Sequence, residues 1–192
     1  TAWGNGVSGK FNSSLNFDGT DDYIQITDTA NITHQTGDLS YGTWFKTTNS
    51  GGVNGRVLLS KGADHDWLYS TAIVNGQIYC KLYVNGDGGD YLQAVSAVSY
   101  NDGNWHHVMC VVSGNTISNY IDGKLVATDN TPSGTRDTSS AGSLYIGSFH
   151  YNSQMNFFWN GQLDDIRVYN YGLSSNQIKQ LYNGGAAILF GN

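Results

Sequence analysis

The sequence predicts an all-β protein: an antiparallel two-sheet sandwich with one short helix near residues 174–182. Three observations carry this. The 192 residues include 25 glycines and one proline, and only 12% are charged, which suits a turn-rich, polar, aromatic β-protein rather than a helical one. Asn-Gly and Asp-Gly pairs recur at 18–19, 54–55, 75–76, 85–86, 102–103, 122–123 and 160–161, and such pairs tolerate the positive φ of tight hairpins. Finally, Ile78, Cys80, Leu82 and Val84 share one face of a run whose other face carries Tyr79, Lys81 and Tyr83. That is the period-two pattern of a half-buried strand. The length suits one domain, residues 1–192, with a sizeable core.

Leu15–Ile26 spans the first turn pair. Strand-like runs at Ile78–Val84 and Val108–Val112 hold the two cysteines, Cys80 and Cys110. Two are too few for a disulfide framework, and the sequence leaves open one bridge or two buried thiols. Asn119–Val126 repeats the alternation around Asp122-Gly123, and 129–142 is a polar loop holding Pro132. Asn160-Gly161 reads as a turn leading into a strand that runs to Asn170. Leu173–Ile178 starts the helix, which ends near Leu181-Tyr182, with Ser174 or Ser175 as N-cap. The apolar stretch Ala186–Phe190 lies in a tail, residues 184–192, that reads as an extra strand or as a contact arm for another subunit or parent protein. Thr1 in place of an initiator Met reads as a processed chain or an excised domain.

Several segments in order carry a resemblance: Leu15–Ile26, Tyr41-Gly42-Thr43-Trp44-Phe45-Lys46, Asn104-Trp105-His106-His107-Val108, Asn119–Lys124, Leu144-Tyr145-Ile146-Gly147 and Trp159–Asn170. Over residues 11–183 they resemble the laminin-G-like, concanavalin A-like lectin/glucanase jelly-roll domains of secreted bacterial and viral proteins. Pentraxins are more distant relatives. The resemblance implies a jelly roll and an extracellular, secreted or virion-surface location. It leaves function open, because this fold serves lectins, adhesion modules, spacers and some hydrolases.

Charge and composition narrow the choice. The net charge is −6 and the nine basic residues are scattered, so no basic stripe exists to neutralise phosphates and nucleic acid is not an expected partner. No apolar run approaches the roughly 20 residues of a membrane span. All fifteen acidic residues are Asp. Glycosidases of the resembled family place two Glu and an Asp along one strand, a triad this chain cannot form. No nucleophile elbow, phosphate loop or Cys-His zinc spacing appears. The expected function is a non-catalytic carbohydrate-binding or adhesion module. The alternatives are a virion- or cell-surface decoration or fibre protein and, less favoured, an accessory domain of a modular glycoside hydrolase.

Two constellations offer sites. In Lys61–Tyr69, Asp64, His65, Asp66 and Trp67 place two carboxylates, an imidazole and an indole together. Carboxylates suit calcium, and an exposed indole suits a sugar face. The pentraxin resemblance implies a calcium site completed by the loop after Leu144–Gly147. Here that loop, Ser148–Asn156, has no carboxylate, and its His150, Tyr151, Asn152 and Asn156 look instead like a sugar-stacking and hydrogen-bonding surface. The concave face would add Tyr83, Tyr91 and Gln93. The second constellation is Asp18, Asp21 and Asp22 with Asp164 and Asp165, brought together if the first and last strands adjoin. Repelling carboxylates would then favour a structural calcium on Asp18, Asp21 and Asp164, unless Asx turns and Arg167 satisfy them. His106 and His107 are adjacent on a strand, point to opposite faces and cannot chelate together. The expected partners are a glycan or cell-surface polysaccharide, and a homo-oligomer or larger assembly through residues 186–190.

Overall fold

The computed structural model describes residues 9–28, 37–64, 66–84, 90–130 and 142–184, and only the backbone of Asp66 and Asp90. The strands in chain order are β1 (Leu15–Asp18), β2 (Ile24–Ile26), β3 (Leu39–Lys46), β4 (Arg56–Ala63), β5 (Asp66–Val74), β6 (Gln77–Val84), β7 (Asp90–Val95), β8 (Trp105–Ser113), β9 (Thr116–Ile121), β10 (Lys124–Asp129), β11 (Leu144–Ile146), β12 (Phe149–Tyr151), β13 (Gln154–Asn156) and β14 (Asn160–Tyr169). One helix, α1 (Ser175–Tyr182), follows. The first sheet runs β1-β14-β3-β8-β9-β10, the second runs β2-β11-β4-β5-β6-β7, and β12-β13 form a separate hairpin. All described pairings are antiparallel, as the jelly-roll expectation requires. No described helix is long and apolar enough to cross a membrane.

The core lies between the sheets and follows the period-two pattern. Ile78, Cys80 and Leu82 of β6 face Val108, Cys110 and Val112 of β8 within one buried cluster. Cys80 and Cys110 are bridged across the sandwich with Cα atoms 5.6 Å apart, which closes the question the sequence left open. Buried polar groups join the layers as well, because a polar group out of water needs a partner. The Tyr41 hydroxyl on β3 donates to the Lys81 carbonyl at 2.6 Å, and Asn119 Nδ2 on β9 donates to the Ile78 carbonyl at 2.9 Å. β6 is therefore held from beneath along most of its length.

Asn75-Gly76 joins β5 to β6 with φ of 49° and 85°, the left-handed pair that a two-residue hairpin of the right twist needs. The Asn160-Gly161 expectation is corrected: both residues lie inside β14, where Phe17 pairs with Gly161 and Asp18 with Asn160. Gly161 is there because its backbone passes so close to the Lys46 carbonyl that a Cβ would stand 2.4 Å from that oxygen. The helix begins where expected. Ser174 is its N-cap, and it forms a capping box with Gln177 that satisfies two free first-turn N–H groups. Asn85-Gly86, most of the 129–142 loop and the 186–190 stretch fall outside the described residues.

Candidate functional site

On the second sheet, the residues that alternate with the core point outward. They include Ser70 and Ala72 on β5, Tyr79, Lys81 and Tyr83 on β6, and Tyr91 and Gln93 on β7, matched across the strands as Ser70–Lys81–Gln93 and Tyr83–Tyr91. The segment expected to be a loop, Ser148–Asn156, is instead the β12-β13 hairpin. Asn152 and Ser153 form its tip with φ of 51° and 58°, and Asn156 Nδ2 donates to the Tyr151 and Gln154 carbonyls. This hairpin lies over the outer face. Beneath it a second apolar cluster forms from Val57, Trp67, Ala72, Tyr83 and Phe149, with Tyr151 and Phe157 packed against it.

The expectation that Trp67 presents an exposed indole is corrected. Trp67 is a β5 residue, 5% exposed, with its ring centroid 4.9 Å from Phe149 and 5.6 Å from Tyr151. Its Nε1 donates to the His150 carbonyl at 3.0 Å. The large apolar indole gains more by seating the hairpin than by facing water. The expected meeting of the two segments does occur. Asp64 Oδ1 lies 3.2 Å from His150 Nδ1 and accepts from the Ser153 N–H at 2.6 Å. His150 in turn stacks on Tyr145 at 5.6 Å. Asp64 thus anchors the hairpin instead of standing free for an ion. His65 and the Asp66 side chain lie outside the described residues.

The open part of the face lies beside the hairpin. Tyr91 is 38% exposed and meets Tyr83 edge-on at 5.9 Å. Lys81 Nζ stands 4.6 Å from the Tyr91 ring centroid and 5.7 Å from that of Tyr79. A cavity of about 150 Å³ opens here, lined by Val57, Ser70, Ala72, Lys81, Tyr83 and Phe149 among others. Burial pushes the Tyr83 phenol up to about 12, so it stays a neutral hydrogen-bonding hydroxyl, 3.4 Å from Ser70 Oγ. Desolvation also lowers the Lys81 pKa. The arrangement offers flat rings, hydroxyls, an amide and one cation around a small concavity, the general make-up of a site for a small polar ligand. Sequence reasoning named Tyr83, Tyr91 and Gln93 for this face but not Lys81, Ser70 or Phe149. Lys81 was legible in the alternation of β6, whereas the hairpin that shapes the cavity was not.

The carboxylates proposed for calcium are dispersed. β1 does pair with β14, but Asp18 sits opposite Asn160 whereas Asp164 sits opposite Trp44 on β3. Asp18 Oδ1 accepts from the Thr20 N–H at 2.8 Å, an Asx turn, and Asp164 Oδ2 accepts from the Phe11 N–H at 2.8 Å. Asp165 takes Arg167 Nε at 2.7 Å. Among the described residues, Asp21 included, no group of three His, Cys or Asp side chains could hold a metal ion. Asp18 and Asp164, so placed, do not converge on one calcium ion. His106 and His107 do point to opposite faces: His106 lies between Asp122 and Asp102, and His107 is buried beside Trp44.

With two antiparallel sheets, adjoining first and last strands and a capped C-terminal helix in place, the family is decided by sequence. The family model of the concanavalin A-like lectin/glucanases superfamily, laminin G type, matches residues 18–179. The chain belongs to this family. No curated protein matches it in sequence. Similar solved structures include the binding domain of Paraclostridial Mosquitocidal Protein 1, at 12% identity and a TM-score of 0.72, covering 93% of this chain and 45% of that one. The native heptameric SAP-like pentraxin from Limulus polyphemus is 20% identical with a TM-score of 0.66, covering 88% of this chain and 81% of that one. The receptor binding domain of botulinum neurotoxin mosaic serotype C/D is 14% identical with a TM-score of 0.71, covering 93% and 43%. The chain spans less than half the length of these two toxin domains. At such identities the likeness is one of fold.

Proposed function

We propose that this laminin-G-like domain is a non-catalytic, extracellular carbohydrate-binding module whose site is the open outer face of the second sheet. The observation that carries the proposal is Tyr91, a large aromatic left exposed beside a cavity edged by Tyr83, Ser70 and Lys81, with Gln93 paired to Lys81 on the neighbouring strand. A sugar needs a flat apolar partner with short polar groups around it, and this face supplies both. The β12-β13 hairpin closes one side of the cavity through Phe149, while its tip, with Tyr151 and Asn152, is anchored at the far end of β4 by Asp64. The lack of Glu keeps the family's glutamate chemistry out of reach. The bridged cysteines suit an oxidising compartment. Similar structures that are themselves binding or receptor-binding domains agree with a binding role.

A glycan array run with calcium and again with chelator tests this. The expected result is binding to a restricted set of saccharides, unchanged by chelator and weakened by Tyr91→Ala. No binding under either condition would remove the proposal. Binding that vanishes with chelator would restore a calcium site outside the described residues.

A further inference from the structure

Lys81 is a partly buried cation held by rings and by no described carboxylate. The chain pairs the cation it buries fully: Lys61 Nζ meets Asp28 Oδ1 at 2.6 Å. Arg167 has Asp165. Among the described residues no carboxylate lies within ion-pair distance of Lys81. Its ammonium is instead held near two phenol rings, Tyr91 at 4.6 Å and Tyr79 at 5.7 Å. Its neighbours across the strands are the uncharged Ser70 and Gln93, and it lines the same cavity as Val57, Ala72 and Phe149. A cation drawn out of water costs free energy unless an opposite charge or rings compensate it, and rings at half-exposed sites compensate only in part. The position is also costly to move, because the Lys81 carbonyl is gripped by the Tyr41 hydroxyl through the core.

We infer that the ligand of this face is an anionic saccharide whose carboxylate or sulfate seats on Lys81 while a sugar ring lies against Tyr91. This rests on the carbohydrate-binding reading and narrows it to a ligand class. Desolvation acts on the ammonium before any ligand arrives, so the cavity concentrates the field of this one charge. Overall acidity does not oppose such binding at contact range, since the net charge of −6 is spread over a surface screened within about 10 Å at ordinary salt. The phenol of Tyr83 and the hydroxyl of Ser70 then face the sugar hydroxyls.

The test uses the intact protein and three matched probes: a neutral glucose oligomer, the same oligomer carrying a glucuronate, and the same oligomer carrying a sulfate. Titration calorimetry at low salt should show one charged probe bound at least about tenfold tighter than the neutral one, with the advantage shrinking as salt is added. The two charged arms identify which anion is preferred. Lys81→Met keeps the apolar stem and should bring the ratio of charged-probe to neutral-probe affinity down to about one, whatever its effect on the neutral probe itself. Lys81→Gln serves the same purpose if the first variant does not fold. Equal affinity for neutral and charged probes in the wild type overturns the inference and leaves the carbohydrate-binding reading standing. A preference that survives both Lys81 variants also overturns it. Failure of every saccharide, here and on the array, removes both.

Discussion

Each outer face of the sandwich carries a tryptophan under a lid, and the two lids differ in size. On the first sheet Trp44 is covered by the segments before β1 and after β14: it stacks on Tyr182 at 5.4 Å, meets Phe11 edge-on at 5.9 Å and lies under the Lys10 ammonium. Leu173, Ile178 and Leu181 extend that cover over Met109 and Val111. On the second sheet the lid over Trp67 is a hairpin of two three-residue strands. It reaches β4, β5 and Tyr83 but not the outer side of β7, where Tyr91 stays in solvent. The same sheet geometry thus yields one face whose tryptophan is sealed and one whose tyrosine stays half-open, although clefts of about 310 and 240 Å³ also open at the margins of the helix on the first face, beside Arg167 and beside Tyr171. The difference is set by the length of chain laid on top, so the sealed face should answer to stability and the open one to ligand.

The largest expected effect breaks the sealed face. Trp44→Ala removes a buried indole and should cost about 3–5 kcal/mol, read by denaturant unfolding. Saccharide affinity of the fraction still folded should be unchanged. A drop in affinity alongside stability would mean that the faces are not independent.

The disulfide joins the layers behind the two faces, β6 under the open one and β8 under the sealed one. Its sequence separation is 30, and closing a loop of that size restricts the unfolded chain by about 3–4 kcal/mol. Replacing both cysteines by Ala should lower stability by up to that amount without altering the probe preference.

Acid separates the faces more finely. His107, on the sealed side and 1% exposed, has its pKa lowered to about 4 by burial. The unfolded chain takes up that proton near pH 6.5, so stability is intact above about 6.5 and is lost as pH falls toward 4. At about 1.4 kcal/mol per pKa unit the loss approaches 3 kcal/mol. His106, one residue earlier, behaves oppositely. Its bond to Asp122, with Asp102 on its other nitrogen, raises its pKa, so its contribution is full below about 6.5 and is lost as pH rises through its folded value. His107→Gln should flatten the acid limb of a stability–pH curve, and His106→Gln the neutral one.

The fold was legible because it is written locally: alternation in β6, Asn-Gly at the β5–β6 turn, and Ser174 with Gln177 at the helix start. The family segments added the order of strands. The lids were not legible in the same way. Trp67 and Trp44 both sit in strand-like runs, and nothing near either says whether the residue will be covered. Covering depends on where a segment some 80 residues later for Trp67, or more than 130 for Trp44, comes to rest. Asp18 and Asp164 do not converge, for a related reason. Pairing of first and last strands was foreseeable, but their register was not, and a shift of a few residues separates carboxylates that a sequence sees only as clustered. Lys81 was visible in the alternation of β6, whereas its place between the rings of Tyr91 and Tyr79 needed the other strands in place.

The smallest effect on stability sharpens the comparison most. Tyr91 is exposed, and its contacts are the edge of Tyr83 and the Lys81 ammonium. Tyr91→Ala should therefore leave unfolding within about 0.5 kcal/mol of wild type, as surface substitutions do. Binding should respond differently. Losing one stacking ring is worth about 1 kcal/mol beyond the buried area, so affinity should fall several-fold for neutral and charged saccharides alike, because the ring serves both. Lys81→Met should instead remove the difference between the two probes. Calorimetry on the two variants side by side therefore distinguishes a platform from a charge. If Tyr91→Ala lowered stability by as much as Trp44→Ala while affinity held, the open face would be a second sealed one, and the ligand would have to be sought elsewhere on the sandwich.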